Sequence, residues 1–124
     1  MKQVIKAEQA PAAIGPYSQG IRTDSLMITS GQLPIDPSTG EMPVGIEAQT
    51  RQSLNNCKAV LEAANMTMCD VIKTTVYLSD MNNFAAMNNV YATFFEGDFP
   101  ARSAFQVARL PKDALVEIEC IAAN

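Results

Sequence analysis

The sequence predicts an α+β fold in the order ββαβαββ, with two helices layered on one face of a sheet. Three observations point there. Apolar residues recur at three- and four-residue spacing over 46–64 and again over 84–95, as the buried stripe of a helix does. Residues 71–78 and 114–122 instead alternate, as strands buried on one face do. Clusters of Pro, Gly, Asp and Ser separate these segments, and no repeat, linker or low-complexity tract interrupts them, so residues 1–124 read as a single domain.

Taken in order, a short apolar lead precedes two strands, Ile14 to Ile21 and Leu26 to Ser30, joined by the turn-forming Thr23-Asp24-Ser25. A loop carrying Pro34, Pro37, Gly40, Pro43 and Gly45 leads into a helix whose inner face is Ile46, Thr50, Leu54, Cys57, Leu61 and Ala64. Asn65 suits its end, because Asn tolerates the left-handed conformation. Val71 to Leu78 is β-branched, with Ile72, Thr74, Val76 and Leu78 on one face and Lys73, Thr75 and Tyr77 on the other. Asp80 or Asn82 can cap a second helix built on Phe84, Met87, Tyr91, Phe94 and Phe95. Ser103 to Ala108 and Ala114 to Ala122 are the last strands, separated by Leu110-Pro111-Lys112-Asp113.

Composition narrows the chemistry. Nine basic and thirteen acidic residues give a net charge of −4, and the basic ones are scattered, which disfavours nucleic acid as the main partner. With no histidine, catalysis has to rest on carboxylates, tyrosines, thiols, backbone groups and water. Cys57, Cys69 and Cys120 are odd in number and widely spaced, with no C-x-x-C pair, which argues against a disulfide framework or a thiolate metal site. No apolar run approaches the roughly 20 residues of a spanning helix, and no signal-like segment opens the chain, so a cytoplasmic protein away from membranes is expected.

Alternation sets Arg102, Ala104 and Gln106 on one face of their strand, and Glu117 and Glu119 on the otherwise apolar face of Leu115 and Ile121. Paired as a hairpin, the last two strands would put Arg102 near the open end, with no direct contact to Glu117 implied. Spacing alone favours surface or subunit-interface ion pairs for these groups. The sharper alternative is a guanidinium clamp for a small carboxylate, with a glutamate handling a proton or a water. Tyr17, Gly15, Gly20, Gly31, Asn88 and Asn89 read first as strand, turn or solvated helix residues, and neither G-x-G-x-x-G nor G-x-x-x-x-G-K occurs. The seven methionines read as core fillers.

The stretches "APAAIGPYSQG" (10 to 20), "ITSGQLP" (28 to 34) and "FPARSAFQVARLPKDALVEIECIA" (99 to 122) resemble the Rid family, specifically its reactive intermediate deaminase A branch. The resemblance implies a chorismate-mutase-like fold assembled as a homotrimer with a barrel-like core and ligand clefts between subunits. It implies hydrolysis of 2-iminopropanoate and 2-iminobutanoate to 2-oxo acids and ammonia, with no metal and no cofactor. It assigns the substrate carboxylate to Arg102, the attacking water to Glu117, and pocket roles to Tyr17, Ser30, Gly31, Asn88 and Ala104. Arg109 belongs to the same motif and reads as structural or trimer-forming. One departure matters: the branch usually reads Arg-Ser-Cys-Val-Glu where this chain has Arg102-Ser103-Ala104-Phe105-Gln106, so that alanine stands in place of the cysteine. A backbone role survives that change and a thiol role does not. Two rivals stand beside this reading: a non-catalytic trimer that binds small carboxylates as a regulatory module, and RNA cleavage, which the acidic balance and absent histidine disfavour.

Overall fold

A computed structural model describes residues 1–124. Strand β1 (Gln3–Ile5) opens the chain, followed by β2 (Gly20–Thr23), β3 (Leu26–Thr29), α1 (Ile46–Ala63), β4 (Val71–Leu78), α2 (Phe84–Tyr91), β5 (Ala101–Gln106) and β6 (Val116–Ala123). They form one six-stranded sheet in the order β1-β2-β3-β6-β4-β5. Only β4 and β5 run parallel; the other pairs are antiparallel.

Alternation decides which face is covered. Val116, Ile118, Cys120 and Ala122 of β6, with Thr74, Val76 and Leu78 of β4 and Met27 of β3, are buried under the two helices. There they meet Leu54, Cys57, Val60 and Leu61 of α1 and Met87 and Tyr91 of α2 in one hydrophobic cluster. Met27, Met66 and Met87 are among the largest fully buried side chains, as core fillers should be, whereas Met1 and Met81 are exposed, so the expectation does not hold for all seven methionines. The opposite face, carrying Ile28, Thr75, Tyr77, Glu117, Glu119 and Ile121, has no helix over it. No helix is long and apolar enough to cross a membrane.

Local chemistry explains the element ends. Asp24 sits at φ 49° in the β2–β3 turn and Asn65 at φ 60° just beyond α1, both in the region that Asp and Asn tolerate. Arg22 donates to the carbonyl of Ala64, placing a cation at the C-terminus of α1. Asp80 accepts from the amide of Asn82 and so caps the short 3₁₀ turn that leads into α2. Gly20 is needed for space: a Cβ there would lie 2.4 Å from Met27 and 2.8 Å from Val60.

Four expectations are corrected. The apolar lead includes a strand of its own, β1, which pairs with β2. Residues 14–19, expected as strand, are a loop. Pro16 interrupts the segment, and the buried Gln19 side chain ties it back by accepting from Ala7 N (2.7 Å) and donating to the carbonyls of Ala7 (3.0 Å) and Pro11 (2.8 Å). Ile72 is exposed because an irregularity between Val71 and Lys73 shifts the pairing of β4 with β6. Finally, the last two strands do not form a hairpin. β5 runs parallel to β4 at the sheet edge, while β6 crosses back to lie between β3 and β4, where it buries alternate side chains against both helices.

Candidate functional site

Two hollows hold the residues singled out from the sequence, on opposite faces of the sheet. The first, of about 480 Å³, opens on the uncovered face and is lined by Tyr17, Ser30, Gly31, Tyr77, Glu117 and Glu119 among others. Segment 30–32 reaches it because it lies along β6: Gln32 and Ile118 exchange backbone hydrogen bonds of 2.7 and 3.2 Å. That pairing lays Gly31 against the Glu117 side chain. A Cβ at residue 31 would stand 2.9 Å from the carboxyl carbon of Glu117 and 3.0 Å from its Oε1, so glycine here makes room for the acid. The Ser30 hydroxyl donates to the carbonyl of Ser18 (2.6 Å), fixing the loop that carries Tyr17. Tyr17 is half exposed at the rim beside the exposed Ile14.

The electrostatics of this hollow are those of a pair of acids. Burial raises the pKa of Glu117 above the ordinary carboxylate value, and the charge of Glu119 on the same face raises it further. Tyr77 sits opposite Glu117 in the β4–β6 register and donates its hydroxyl to Glu119 Oε1 at 3.1 Å. Burial and the two carboxylates raise the pKa of the Tyr77 phenol, so it stays a donor. Neither glutamate has a cationic partner; the one ion pair of the chain joins Arg109 to Asp113 at 2.9 Å on the exposed surface.

The second hollow, of about 450 Å³, lies at the helix side of the sheet edge and is lined by Asn88, Tyr91, Ala92, Phe99, Pro100 and Arg102. Arg102 pairs in register with Thr74, whose side chain is fully buried toward the helices, whereas Glu117 pairs with Tyr77 on the open face. Arg102 and Glu117 of one chain therefore point away from each other, with β4 between their strands. The guanidinium donates to Asn88 Oδ1 at 2.7 Å, and its carbon lies 4.8 Å from the centre of the Tyr91 ring and 5.4 Å from that of Phe84. The Tyr91 hydroxyl in turn meets Thr74 Oγ1 at 2.6 Å. One Arg102 nitrogen is thus spoken for by a neutral oxygen, and no carboxylate neutralises the charge. Ala104 shares this face, half-buried against the core.

Tyr17, Ser30, Gly31 and Glu117 thus come together in one hollow and Asn88 with Arg102 in the other, while Ala104 lies on the helix side of the edge strand. Phe84, Tyr91, Tyr77 and the loop-fixing Gln19 were not singled out from the sequence as parts of a site. Helical spacing does set Phe84, Asn88 and Tyr91 on adjoining turns, but only the parallel packing of β5 beside β4 brings Arg102 over them.

The model of the family described as Endoribonuclease L-PSP matches residues 7–124. The chain belongs to that family. The Rid resemblance carried by the motifs is borne out by its relatives. The chain is 54% identical to a RutC family protein of Haemophilus influenzae, over 98% of this chain and 97% of that one. It is 53% identical to the 2-iminobutanoate/2-iminopropanoate deaminase of Escherichia coli, over 98% of each. Its fold superposes with a TM-score of 0.96 on a crystal structure of Escherichia coli TdcF with bound serine, at 48% identity and 98% coverage of each chain. The mixed α+β architecture of one six-stranded sheet and two helices is therefore that of this Endoribonuclease L-PSP family.

Proposed function

We propose that the protein hydrolyses reactive 2-imino acids, 2-iminopropanoate and 2-iminobutanoate, to 2-oxo acids and ammonia. The observation that carries this is the unneutralised Arg102 guanidinium, set over the rings of Tyr91 and Phe84 and hydrogen-bonded to Asn88, in a chain whose paired glutamates occupy a separate hollow. The naming of a 53% identical relative as a deaminase of these compounds supports the same chemistry, and the serine-bound neighbour supports a small carboxylate ligand.

A site needs both halves, and one chain holds them on opposite faces. The reading is therefore a homotrimer of single-domain subunits around a chorismate-mutase-like, barrel-like core, with the Arg102 edge of one copy closing the Glu117 hollow of the next. The exposed side chains Ile14, Phe99 and Phe105 support burial between copies. In the closed site Arg102 grips the substrate carboxylate through its free donors. Backbone groups of Gly31 and Ala104 orient the C=N bond, while Tyr17, Ser30 and Asn88 frame the pocket. Glu117 holds a water against C2 of the protonated imine and takes its proton as the C–O bond forms; passed on to the nitrogen of the carbinolamine, that proton lets the C–N bond break and ammonia leave, while the new hydroxyl gives up its own proton to solvent and becomes the 2-oxo carbonyl. The residues present supply every group in this scheme, without cofactor or metal, in the cytoplasm. The acidic charge and absence of histidine weigh against the ribonuclease chemistry in the family's description.

The test is complementation between two inactive variants. Arg102→Ala and Glu117→Gln proteins, refolded together in equal amounts, are expected to regain about a quarter of the parent rate, the fraction of interfaces in which both intact halves meet. Followed as oxo-acid formation from an imine generated in the assay, a mixture that stays as inactive as its parts overturns the shared site.

A further inference from the structure

The Glu117 hollow contains a second acid that the proposed chemistry leaves without a task. Glu119 lies on the same face of β6, two residues or about 7 Å further along the strand. A surface glutamate on an open sheet face would be free to turn into solvent. This one is held: the Tyr77 hydroxyl, reaching across from β4, donates to its Oε1 at 3.1 Å. The register explains why that hold matters. Tyr77 is the residue directly opposite Glu117, so its ring stands beside Glu117 while its hydroxyl reaches Glu119. The ring is braced in its turn by Phe105 of β5, which meets it edge-on with centroids 5.3 Å apart. Four side chains from three strands thus fix where the second negative charge sits relative to the first.

We infer that Glu119, oriented by the Tyr77 hydroxyl, is a positioning residue whose fixed negative charge makes Glu117 a stronger proton acceptor than it would be alone. This rests on the proposed role of Glu117 in handling water. A lone carboxylate on a wet surface gives up its proton early and takes one back weakly; a carboxylate facing another fixed anion across a partly dry hollow holds a proton more tightly, as acid–base pairs in active sites do. The other groups around Glu117 do not cancel the effect. Lys112, from the turn before β6, and Tyr17, from the 11–19 loop, line the hollow, but neither is hydrogen-bonded or ion-paired to either glutamate. Lys73, the cation nearest along β4, is engaged with the Ser103 hydroxyl at 3.0 Å. The consequence in the reaction is that the acid which strips a proton from water is tuned by one that never touches substrate.

The experiment reads Glu117 directly. In protein carrying ¹³C-labelled glutamate, the Glu117 carboxyl is titrated in the parent and in the Glu119→Gln, Glu119→Asp and Tyr77→Phe variants, and kcat/KM for imine hydrolysis is measured across the same pH range. Glu119→Gln, equal in size but uncharged, is expected to lower the Glu117 midpoint by about half a pH unit or more and to move the acid limb of kcat/KM with it. Tyr77→Phe lowers it by less, because the charge remains but is no longer held, and Glu119→Asp, which keeps the charge on a shorter stem, likewise falls between Glu119→Gln and the parent. A Glu117 midpoint that stays put in Glu119→Gln overturns the inference whatever the activity, and so does a rate profile that ignores a shifted midpoint. A midpoint that moves in Glu119→Gln, together with a parent protein that shows no imine hydrolysis, upholds the pairing and overturns the proposed function instead.

Discussion

The edge of the sheet at Arg102 and the open face at Glu117 solve opposite problems with opposite means. At the edge, a group that is always charged is kept in place without being neutralised: aromatic faces and one amide oxygen hold the guanidinium, and its remaining donors stay available. On the open face, groups that can lose their charge are crowded by burial and by each other, so that a proton is held more tightly than usual. A direct Arg102–Glu117 ion pair would have quenched both. Keeping them on opposite faces of one chain preserves a cation and a proton acceptor for a third party to bridge.

That contrast can be broken from either side. The largest effect is expected at the cation: Arg102→Ala removes charge-assisted bonds worth about 1.5–3 kcal/mol and the orientation they give, so kcat/KM should fall by about 100-fold or more, with folding by circular dichroism intact. Arg102→Ala turning over imine at the parent rate would remove the edge from the site altogether. Next comes Gly31→Ala. The nearest atoms its Cβ would meet all belong to the Glu117 side chain, so the carboxyl swings aside while the fold holds. Such a displacement should cost about 10- to 100-fold in kcat/KM with little change in Tm.

A smaller effect, of the opposite sign, is expected in stability. Because the folded chain holds the Glu117 proton more tightly than the unfolded chain does, its contribution to stability falls as pH rises through the folded midpoint. Glu117→Gln lifts that penalty, so the variant should melt a few degrees above the parent at neutral pH. The gain should vanish below about pH 4, where the acid is protonated in both states. Thermal unfolding across pH checks this; a Tm that drops at neutral pH means that the charge stabilises the fold. The smallest effect belongs to Ala104→Cys. Residue 104 is half-buried on the helix side and its proposed role is carried by the backbone, so kcat/KM should change by no more than about threefold. A gain beyond tenfold would show that a thiol does chemistry there.

What was legible in the sequence follows the range of the physics involved. Period and alternation act between neighbours, so the inner stripe of α1 at Thr50, Leu54, Cys57 and Leu61 and the buried row of β6 at Val116, Ile118 and Cys120 could be read directly. The turn at Thr23-Asp24-Ser25 and the left-handed Asn65 were equally local. The segment at 14–19 misled because its periodicity is strand-like, while the bonds that hold it as a loop run from Gln19 to residues 7–11. Alternation also separated Arg102 from Phe105 and put Glu117 with Glu119, yet it could not say which neighbour each strand would take.

By itself, then, the sequence determined the two helices and the strands from β2 onward in their order, most of the side chains they bury, and an acidic, histidine-free chemistry, while β1, the 14–19 loop and the exposure of Ile72 escaped it. Only the tertiary structure decided that β6 lies between β3 and β4 and that β5 runs parallel at the edge. With that choice Arg102 falls over Tyr91, Tyr77 falls beside Glu117, and the two charged centres part across the sheet. The reason is physical: backbone periodicity is fixed by bonds a few residues long, whereas strand order is chosen by the burial of whole faces, a sum over the chain that no local pattern carries.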